Sequence, residues 1–410
     1  MIRWSPILRI PVLVIAIGGL TAALVWGNYQ FTISNPGGEH FLVDWFSARS
    51  LFIDGINPYS ETARTNLYAF AQNEADIVLE TGSRFDVPLY SAFVTLPFAL
   101  IRDFEVARAL WMTVLEGLLV TVVFMGTSLA RWKIKPVPLG LLILFSVFWF
   151  HGLYPVVSGS MIVVVSLILA SVFLAVRARQ YEFAGVLLGL ATIQPSATVL
   201  FAIFVLYWSF RYHHAKIALW FIASILLLSA TAALIRPQWI MDYLRVLFQP
   251  ATTVQTINQV FQAFLPAAGG RIGLLLSGIT GLILIFEWFV SKKADFEGFY
   301  WTGLLTLTLT PWIGLPTEPV LFLVSMPAII FAIFLWHERW PRVSPILTGV
   351  VVLLLFGGIW GIYFTQAGQP VSSNPGLYFA QPLIVTIMLF WVRWWAIRKP
   401  NVWFDQLSKG

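Results

Sequence analysis

The sequence predicts an all-α, polytopic membrane protein. Hydrophobic residues make up 59% of the 410-residue chain and charged residues only 11%, and the mean hydropathy is +0.81. Apolar runs recur from one end of the chain to the other, and a helix that spans a bilayer needs about 20 such residues. We therefore predict about twelve transmembrane helices, which form a single integral membrane domain over residues 1–410.

The first apolar run, residues 10–26, is expected to be a retained span because no small-residue cleavage site follows it. Trp26 at its end fits an aromatic anchor at the membrane interface. Two long polar segments, residues 28–103 and 236–270, are expected to be extracytoplasmic loops. The other predicted spans lie at residues 109–129, 138–150, 161–176, 185–208, 217–235, 272–290, 299–312, 320–336, 346–364 and 378–395.

Basic residues predict the orientation, because cytoplasmic loops collect Lys and Arg. They alternate along the chain so that both termini are cytoplasmic, and we expect a multi-pass protein of a bacterial plasma membrane whose active site faces outside. These clusters account for the net charge of +6, so it does not indicate nucleic-acid binding. The absence of cysteine excludes disulfides and thiolate metal sites. The clusters are Arg3, Arg9, Arg131, Lys133, Lys135, Arg177, Arg179, Arg211, Lys216, Lys292, Lys293, Arg339, Arg342, Arg398 and Lys399.

The first outer loop is predicted to hold two amphipathic helices on the membrane surface. The first covers residues 41–53, and Asp44 lies on the apolar side of its pattern, which is costly for an acid that is not used. The second covers residues 60–80, with Ser60 as its N-cap. The segment 87–100 is too short to span and is expected to be re-entrant or embedded in the surface.

The order of a first span, then Asp44 in an amphipathic helix, then GINPY at residues 55–59 resembles the GT-C membrane glycosyltransferases, most closely family 87. GVLLGLATIQPSATVLF, residues 185–201, is similar to a glycine-leucine helix of that family, with Gln194 where the family has Lys. Gly159-Ser160 stands where the family has Gly-Gln.

The resemblance implies a GT-C-like fold. It also implies transfer of a sugar, mannose or another hexose, from a polyprenyl-phosphate carrier to a hydroxyl of a lipid or glycan acceptor, with inversion. The expected partners are thus the lipid-linked donor, the acceptor and membrane lipids. No cofactor is required for such a transfer. A divalent metal ion could assist, but no ligand set in the sequence supports one.

The chemistry of the residues agrees with Asp44 as the catalytic base. A hydroxyl is a weak nucleophile and needs a carboxylate within hydrogen-bond reach, whereas phosphate is already a good leaving group. Two other interpretations of Asp44 are a cap for its helix and an ion pair with Arg49. Asp54 is the alternative base, although its place beside Gly55 fits helix termination.

Further residues are predicted to bind substrate. Arg49, Arg84 and Arg271 could meet a lipid phosphate, with interfacial snorkelling as the alternative. Trp45 could stack on a sugar. Gln194, beside Pro195, could line a cavity or bond free carbonyls. The remaining candidates are Tyr59 from the motif, His151 at an outer helix end and Glu318 in an outer loop.

Two other classes of function remain open. A lipid-linked saccharide flippase or transporter would have paired broken helices in two halves of the chain, whereas the sequence has one such break, at Gln194-Pro195. A polysaccharide polymerase or ligase would be expected to have outer loops rich in Arg and His. The chain has only 5 His residues.

Overall fold

The structure is a computed structural model, and it describes residues 6–80, 82–249, 255–290, 295–366 and 368–397. Some basic positions of the predicted orientation lie outside the described residues. They are Arg3, Lys292, Lys293, Arg398 and Lys399, together with the side chain of Arg9.

Nineteen α-helices make up the described part of the chain, which contains no β-strand. The first ten are α1 (Pro6–Ser34), α2 (Glu39–Phe52), α3 (Glu61–Asn73), α4 (Ala92–Ala99), α5 (Phe104–Leu129), α6 (Pro136–Phe148), α7 (Phe150–Ser158), α8 (Ile162–Arg177), α9 (Tyr181–Ala191) and α10 (Pro195–Arg211). The others are α11 (Ala215–Ile235), α12 (Trp239–Leu247), α13 (Ile257–Phe264), α14 (Gly269–Val290), α15 (Phe296–Leu309), α16 (Met326–Arg339), α17 (Ser344–Val352), α18 (Ile359–Phe364) and α19 (Pro375–Ile397).

Seven of the described helical segments are long and apolar enough to cross a membrane, or eight if α6 and α7, which meet at a bend of 53°, form one span. This confirms the prediction of an all-α protein embedded in a membrane. Several further apolar helices, among them α8, α9 and α10, are shorter than a complete span. The predicted number of about twelve transmembrane helices stays a prediction.

Tight contacts between small residues hold the central helices together. A Cβ at Gly185 on α9 would lie 2.4 Å from the carbonyl oxygen of Ile217 on α11, and one at Gly189 would lie 2.6 Å from Cβ of Ser224. Such small residues let two helix backbones approach closely inside a membrane. Here they bring the backbones of α9 and α11 close together.

The long connections meet at one end of the helix bundle, which we call the loop end. Asn57, before α3, donates a hydrogen bond to Asp242 on α12. Ser372, before α19, donates to Glu80, and Gln255 forms an isolated antiparallel bridge with Thr317. Both predicted outer loops therefore interlock there with segments from the C-terminal half of the chain.

The first long loop folds close to its predicted pattern. The helix predicted over residues 41–53 is α2, and Ser60 caps α3 by accepting a hydrogen bond from the amide of Ala63. The second predicted helix is too long, because α3 ends at Asn73 instead of Glu80. Asp76, with φ of 51°, lies just beyond that end. The segment 87–100 forms a 3-10 turn and the short helix α4.

Candidate functional site

The candidate site is built on one face of α2. His40, Asp44 and Ser47 lie at spacings of four and three residues, so they share one side of the helix. Phe41 and Trp45 lie on another side and are fully buried. Burial of these two large rings anchors the helix and leaves His40 and Asp44 half-buried on its other side.

A buried arginine fixes the start of α2. Arg108 on α5 donates hydrogen bonds to the carbonyl oxygens of Asn35, at 2.9 Å, and Val157, at 3.3 Å. Gly38 has a φ of +84°, and a Cβ there would lie 2.6 Å from Nε of Arg108. Only glycine tolerates both this backbone conformation and this contact. The first turn of α2 is therefore locked against α5.

A second glycine fixes the distance between α2 and the turn that precedes α8. Gly159 has a φ of +73°, and a Cβ on it would lie 2.4 Å from Cβ of Phe41. Trp111 donates a hydrogen bond of 2.8 Å to the Gly159 carbonyl. This contact gives a physical reason for the glycine of the Gly159-Ser160 pair.

Glu318 approaches the polar face of α2 from the second half of the chain. Its carboxylate lies 3.7 Å from Nε2 of His40. His40, Asp44 and Glu318 are half-buried, and Asp86, on the segment after α3, is exposed. Three carboxylates and one imidazole therefore meet at the loop end, where water and a ligand can reach them.

The surroundings of Asp44 raise its basicity. Burial raises the pKa of Asp44 to about 7, the positive charge of His40 lowers it and the negative charge of Asp86 raises it. Burial also raises the pKa of Glu318 to about 7. Burial lowers the pKa of His40, but Glu318 and the other nearby acids raise it, and the net result is upward. A carboxylate with a pKa near 7 is suited to proton transfer at neutral pH.

The two other interpretations of Asp44 do not fit its position. The free amide groups of a helix belong to its first four residues, and Asp44 follows those of α2. Arg49 donates to the carbonyl oxygen of Ala99 at 3.0 Å, and its guanidinium lies over the ring of Trp45. Among the described residues, no side chain donates a hydrogen bond to the Asp44 carboxylate, and no ion pair holds it.

Arg49 and Trp45 support α2 from its buried side. Trp45 is 1% exposed. Its Nε1 donates to the carbonyl oxygen of Phe98 at 3.0 Å, and its ring contacts Phe70 and Phe104. Neither face of the indole is open to a sugar in this conformation. We therefore assign both side chains a packing contact with α4 and α5.

Tyr59 and Arg84 join the first loop to α12. The Tyr59 hydroxyl donates to the carbonyl oxygen of Val87 at 2.7 Å, and its ring lies 6.2 Å from that of Tyr243. Arg84 donates to the side-chain oxygen of Gln249 at 2.8 Å. The two loops and the segment after residue 87 thus wall the same region.

His151 lies behind Glu318. Its Nδ1 is 2.8 Å from the carbonyl oxygen of Pro319, and the imidazole is fully buried. On the other side, Thr317 forms its bridge with Gln255. Both neighbours of Glu318 in the chain are therefore held. His151 positions the Glu318 segment and does not itself face the site.

The structure does not bring Gln194 and Arg271 close to the acids and the imidazole of the candidate site. Gln194 precedes α10 and donates to Ser196 at 3.3 Å. The nearby hydroxyl of Thr192 lies 2.8 Å from that of Tyr90, so the break between α9 and α10 contacts the segment after residue 87. Arg271 is exposed on the first turn of α14. Among the described residues, its side chain has no hydrogen-bond partner.

Sequence analysis missed His40, Asp86 and Arg108. The spacing of four residues between His40 and Asp44 was an available signal, whereas no local pattern marks Asp86. Within the described ranges, no group of three or more His, Cys, Asp or Glu side chains is arranged to hold a metal ion.

The site thus combines an accessible carboxylate of raised pKa, a neighbouring imidazole and a second acid from the other half of the chain. A scan of protein-family models and a search of curated proteins return no match for this chain. The site is therefore described from the chain's own residues alone.

Proposed function

We propose that this chain is a membrane glycosyltransferase that moves a hexose from a polyprenyl-phosphate carrier to an acceptor hydroxyl on the extracytoplasmic face. The observation that carries the proposal is Asp44, a carboxylate without a hydrogen-bond donor from the described residues and with a pKa of about 7. A carboxylate in this state can accept a proton. The motif at residues 55–59 lies on the same loop.

The proposed reaction uses one base. Asp44 takes the proton of the acceptor hydroxyl while the oxygen of that hydroxyl attacks the anomeric carbon of the donor sugar. The bond between that carbon and the phosphate oxygen breaks, and its electron pair leaves with the polyprenyl phosphate. Attack from the face opposite the phosphate inverts the anomeric configuration. Each bond formed is balanced by one broken, so no further reactant is needed.

The neighbours of Asp44 have separate tasks in this proposal. His40, one helical turn before Asp44, supplies positive charge in a site that otherwise contains acids. It lowers the pKa of Asp44 and faces a donor that carries a negative phosphate. Glu318 holds His40 in its charged form through the contact of 3.7 Å. The transfer requires both a base and a cation, and α2 provides them on one face.

Replacing Asp44 tests the assignment. We expect Asp44→Asn to lower transfer by roughly a hundredfold or more, because the amide keeps the size of the side chain but cannot take a proton. Asp54→Asn is the matched control, since Asp54 is exposed just beyond the same helix. The assay is transfer of labelled hexose from polyprenyl-phosphate mannose and polyprenyl-phosphate glucose into the membrane fraction. Transfer by Asp44→Asn at the wild-type rate contradicts the proposal.

A further inference from the structure

A polar cleft lies about one turn of α2 beyond the candidate base and has no role in the proposed reaction. It has a volume of about 300 Å³, at the small end of the range for small-molecule sites. Its walls come from α2, from the start of α3 and from the turn after α12. Its polar side chains are Ser47, Tyr59, Ser60, Glu61, Arg64, Arg84 and Gln249.

Ser47 is the hydroxyl of this cleft that lacks a partner. Its side chain is 5% exposed, and no described residue forms a hydrogen bond with its hydroxyl. The Ser47 oxygen, unlike the enclosed and unpaired Nε of Arg84, is open to the cleft. A ligand in the cleft can therefore accept or donate a hydrogen bond at Ser47.

The position of Ser47 ties the cleft to the reaction. Ser47 follows Asp44 by three residues on α2, and side chains at this spacing are neighbours on a helix surface, roughly 5–6 Å apart at Cβ. A ligand bonded to Ser47 can therefore present another of its hydroxyls to the Asp44 carboxylate. This is the arrangement that an acceptor needs.

The charges of the cleft favour a neutral ligand. Arg64 is paired with Glu61 through three hydrogen bonds. Arg84 donates to the carbonyl oxygens of Val246 and Gln249 and to the Gln249 side chain. Neither guanidinium offers the open fork that binds a phosphate. The groups that remain for a ligand are the Ser47 hydroxyl, amide and carbonyl oxygens, a tyrosine ring and the single N–H of Arg84 Nε, while the Glu61 carboxylate is already paired with Arg64.

We propose that this cleft is the acceptor subsite and that it binds a neutral, polyhydroxylated group, namely a sugar ring, through Ser47. The proposal rests on the proposed function, since it assigns the acceptor of that reaction. It places the acceptor between α2 and α3 and leaves the side of His40 and Glu318 to the donor.

Direct binding of simple sugars tests the subsite without any transfer reaction. The probes are the methyl glycosides of mannose, glucose and galactose, titrated against the full chain in lipid nanodiscs and followed by saturation-transfer NMR. We expect at least one glycoside to bind and Ser47→Ala to weaken it roughly fivefold, which is the loss of one net hydrogen bond. Ser47→Leu fills the cleft and should abolish binding.

Ser50→Ala is the matched control, because Ser50 lies on the same helix, is 1% exposed and does not line the cleft. It should leave glycoside binding unchanged. Equal binding by the wild type and both Ser47 variants would overturn the subsite. So would displacement of the glycoside by inorganic phosphate.

The same variants separate the subsite from the proposed function. If the chain transfers sugar, Ser47→Ala should raise KM for the acceptor and leave KM for the donor unchanged, and an unchanged acceptor KM overturns the subsite alone. If the chain binds glycosides through Ser47 but transfers no sugar from any donor, the subsite stands and the glycosyltransferase assignment fails.

Discussion

At the scale of the residue, Asp44 and Asp54 show how position distinguishes two carboxylates of one loop. Both come from the first loop, but Asp54 is exposed beyond the end of α2, whereas Asp44 is half-buried beside His40. Burial favours the protonated form of a carboxylate, and a nearby cation favours the ionised form. The balance leaves the pKa of Asp44 at about 7, where the carboxylate can take a proton and lose it again.

Two substitutions are predicted to move the pH dependence of transfer in opposite directions. If Asp44 is the base, as proposed, transfer needs its ionised form, so we expect the rate to rise with pH through a midpoint at about 7. Asp86→Asn removes a negative charge that raises the pKa of Asp44, so the rise should move to lower pH. His40→Gln removes a positive charge that lowers this pKa, so the rise should move to higher pH.

The measurement for this prediction is the initial rate of transfer between pH 5 and pH 9, a range of about two units on each side of the midpoint. Below the midpoint, a shift of one pH unit corresponds to a roughly tenfold change in the ionised fraction of Asp44. Glu74→Gln is a control, because Glu74 is an exposed acid at the end of α3. Shifts of the same sign in both variants would contradict the assignment of Asp44.

At the scale of the element, α2 is an amphipathic helix whose orientation is set at its start. Arg108 occupies the space beside Gly38, and both of its terminal nitrogens are engaged with backbone carbonyls. The guanidinium therefore has little freedom to move aside. Gly55, just beyond the other end of α2, has a φ of +68° but open space around it.

Comparison of two alanine variants separates backbone strain from steric contact. Gly38→Ala adds a Cβ both in a left-handed conformation and against Arg108, whereas Gly55→Ala adds only the conformational strain. An alanine in that conformation costs about 1–2 kcal/mol, and overpacking costs about 1–3 kcal/mol more. We expect Gly38→Ala to unfold at a clearly lower temperature and to lose transfer.

Thermal unfolding of the purified variants in one detergent measures the difference. Gly55→Ala should stay close to the wild type in transfer, because the polar face of α2 is not displaced. Equal unfolding temperatures of the two variants would show that the Arg108 side chain can move away from residue 38. The start of α2 would then not be fixed by this contact.

At the scale of the whole molecule, the site exists because distant segments meet at the loop end. Glu318 and Thr317 come from the connection before α16, and Asp44 comes from α2. At the other end, Lys216 pairs with Glu182, and Arg131 pairs with Glu297. Lys216 lies at the start of α11, and the other end of that helix leads to Arg236, which pairs with Asp242 at the loop end, so this basic position lies away from the site.

Accessibility of single cysteines tests the predicted orientation, and the chain has no cysteine of its own. We expect Asn66→Cys, on an exposed position of α3, to react with a membrane-impermeant maleimide in intact cells. Lys133→Cys, exposed between α5 and α6, should react only after the membrane is opened. The opposite pattern would place Asp44 on the cytoplasmic face and remove the main argument for a polyprenyl-phosphate donor.

The sequence by itself determined the class of the fold, the two helices of the first loop and the candidate base. These features depend on local patterns: runs of apolar residues, the 3.6-residue period of α2, the cap at Ser60 and one acid on an amphipathic helix. The end of α3 was misplaced because its charged continuation resembles a solvated helix, and only the turn after Asn73 shows where it stops.

Only the tertiary structure decided which residues share the site with Asp44. Glu318 approaches His40, Asp86 acts on Asp44 through its charge, and Trp45 and Arg49 turn into the core. Each of these facts depends on the packing of segments far apart in the chain. Periodicity assigns a residue to one face of its own helix, but it carries no information about what the rest of the chain brings to that face.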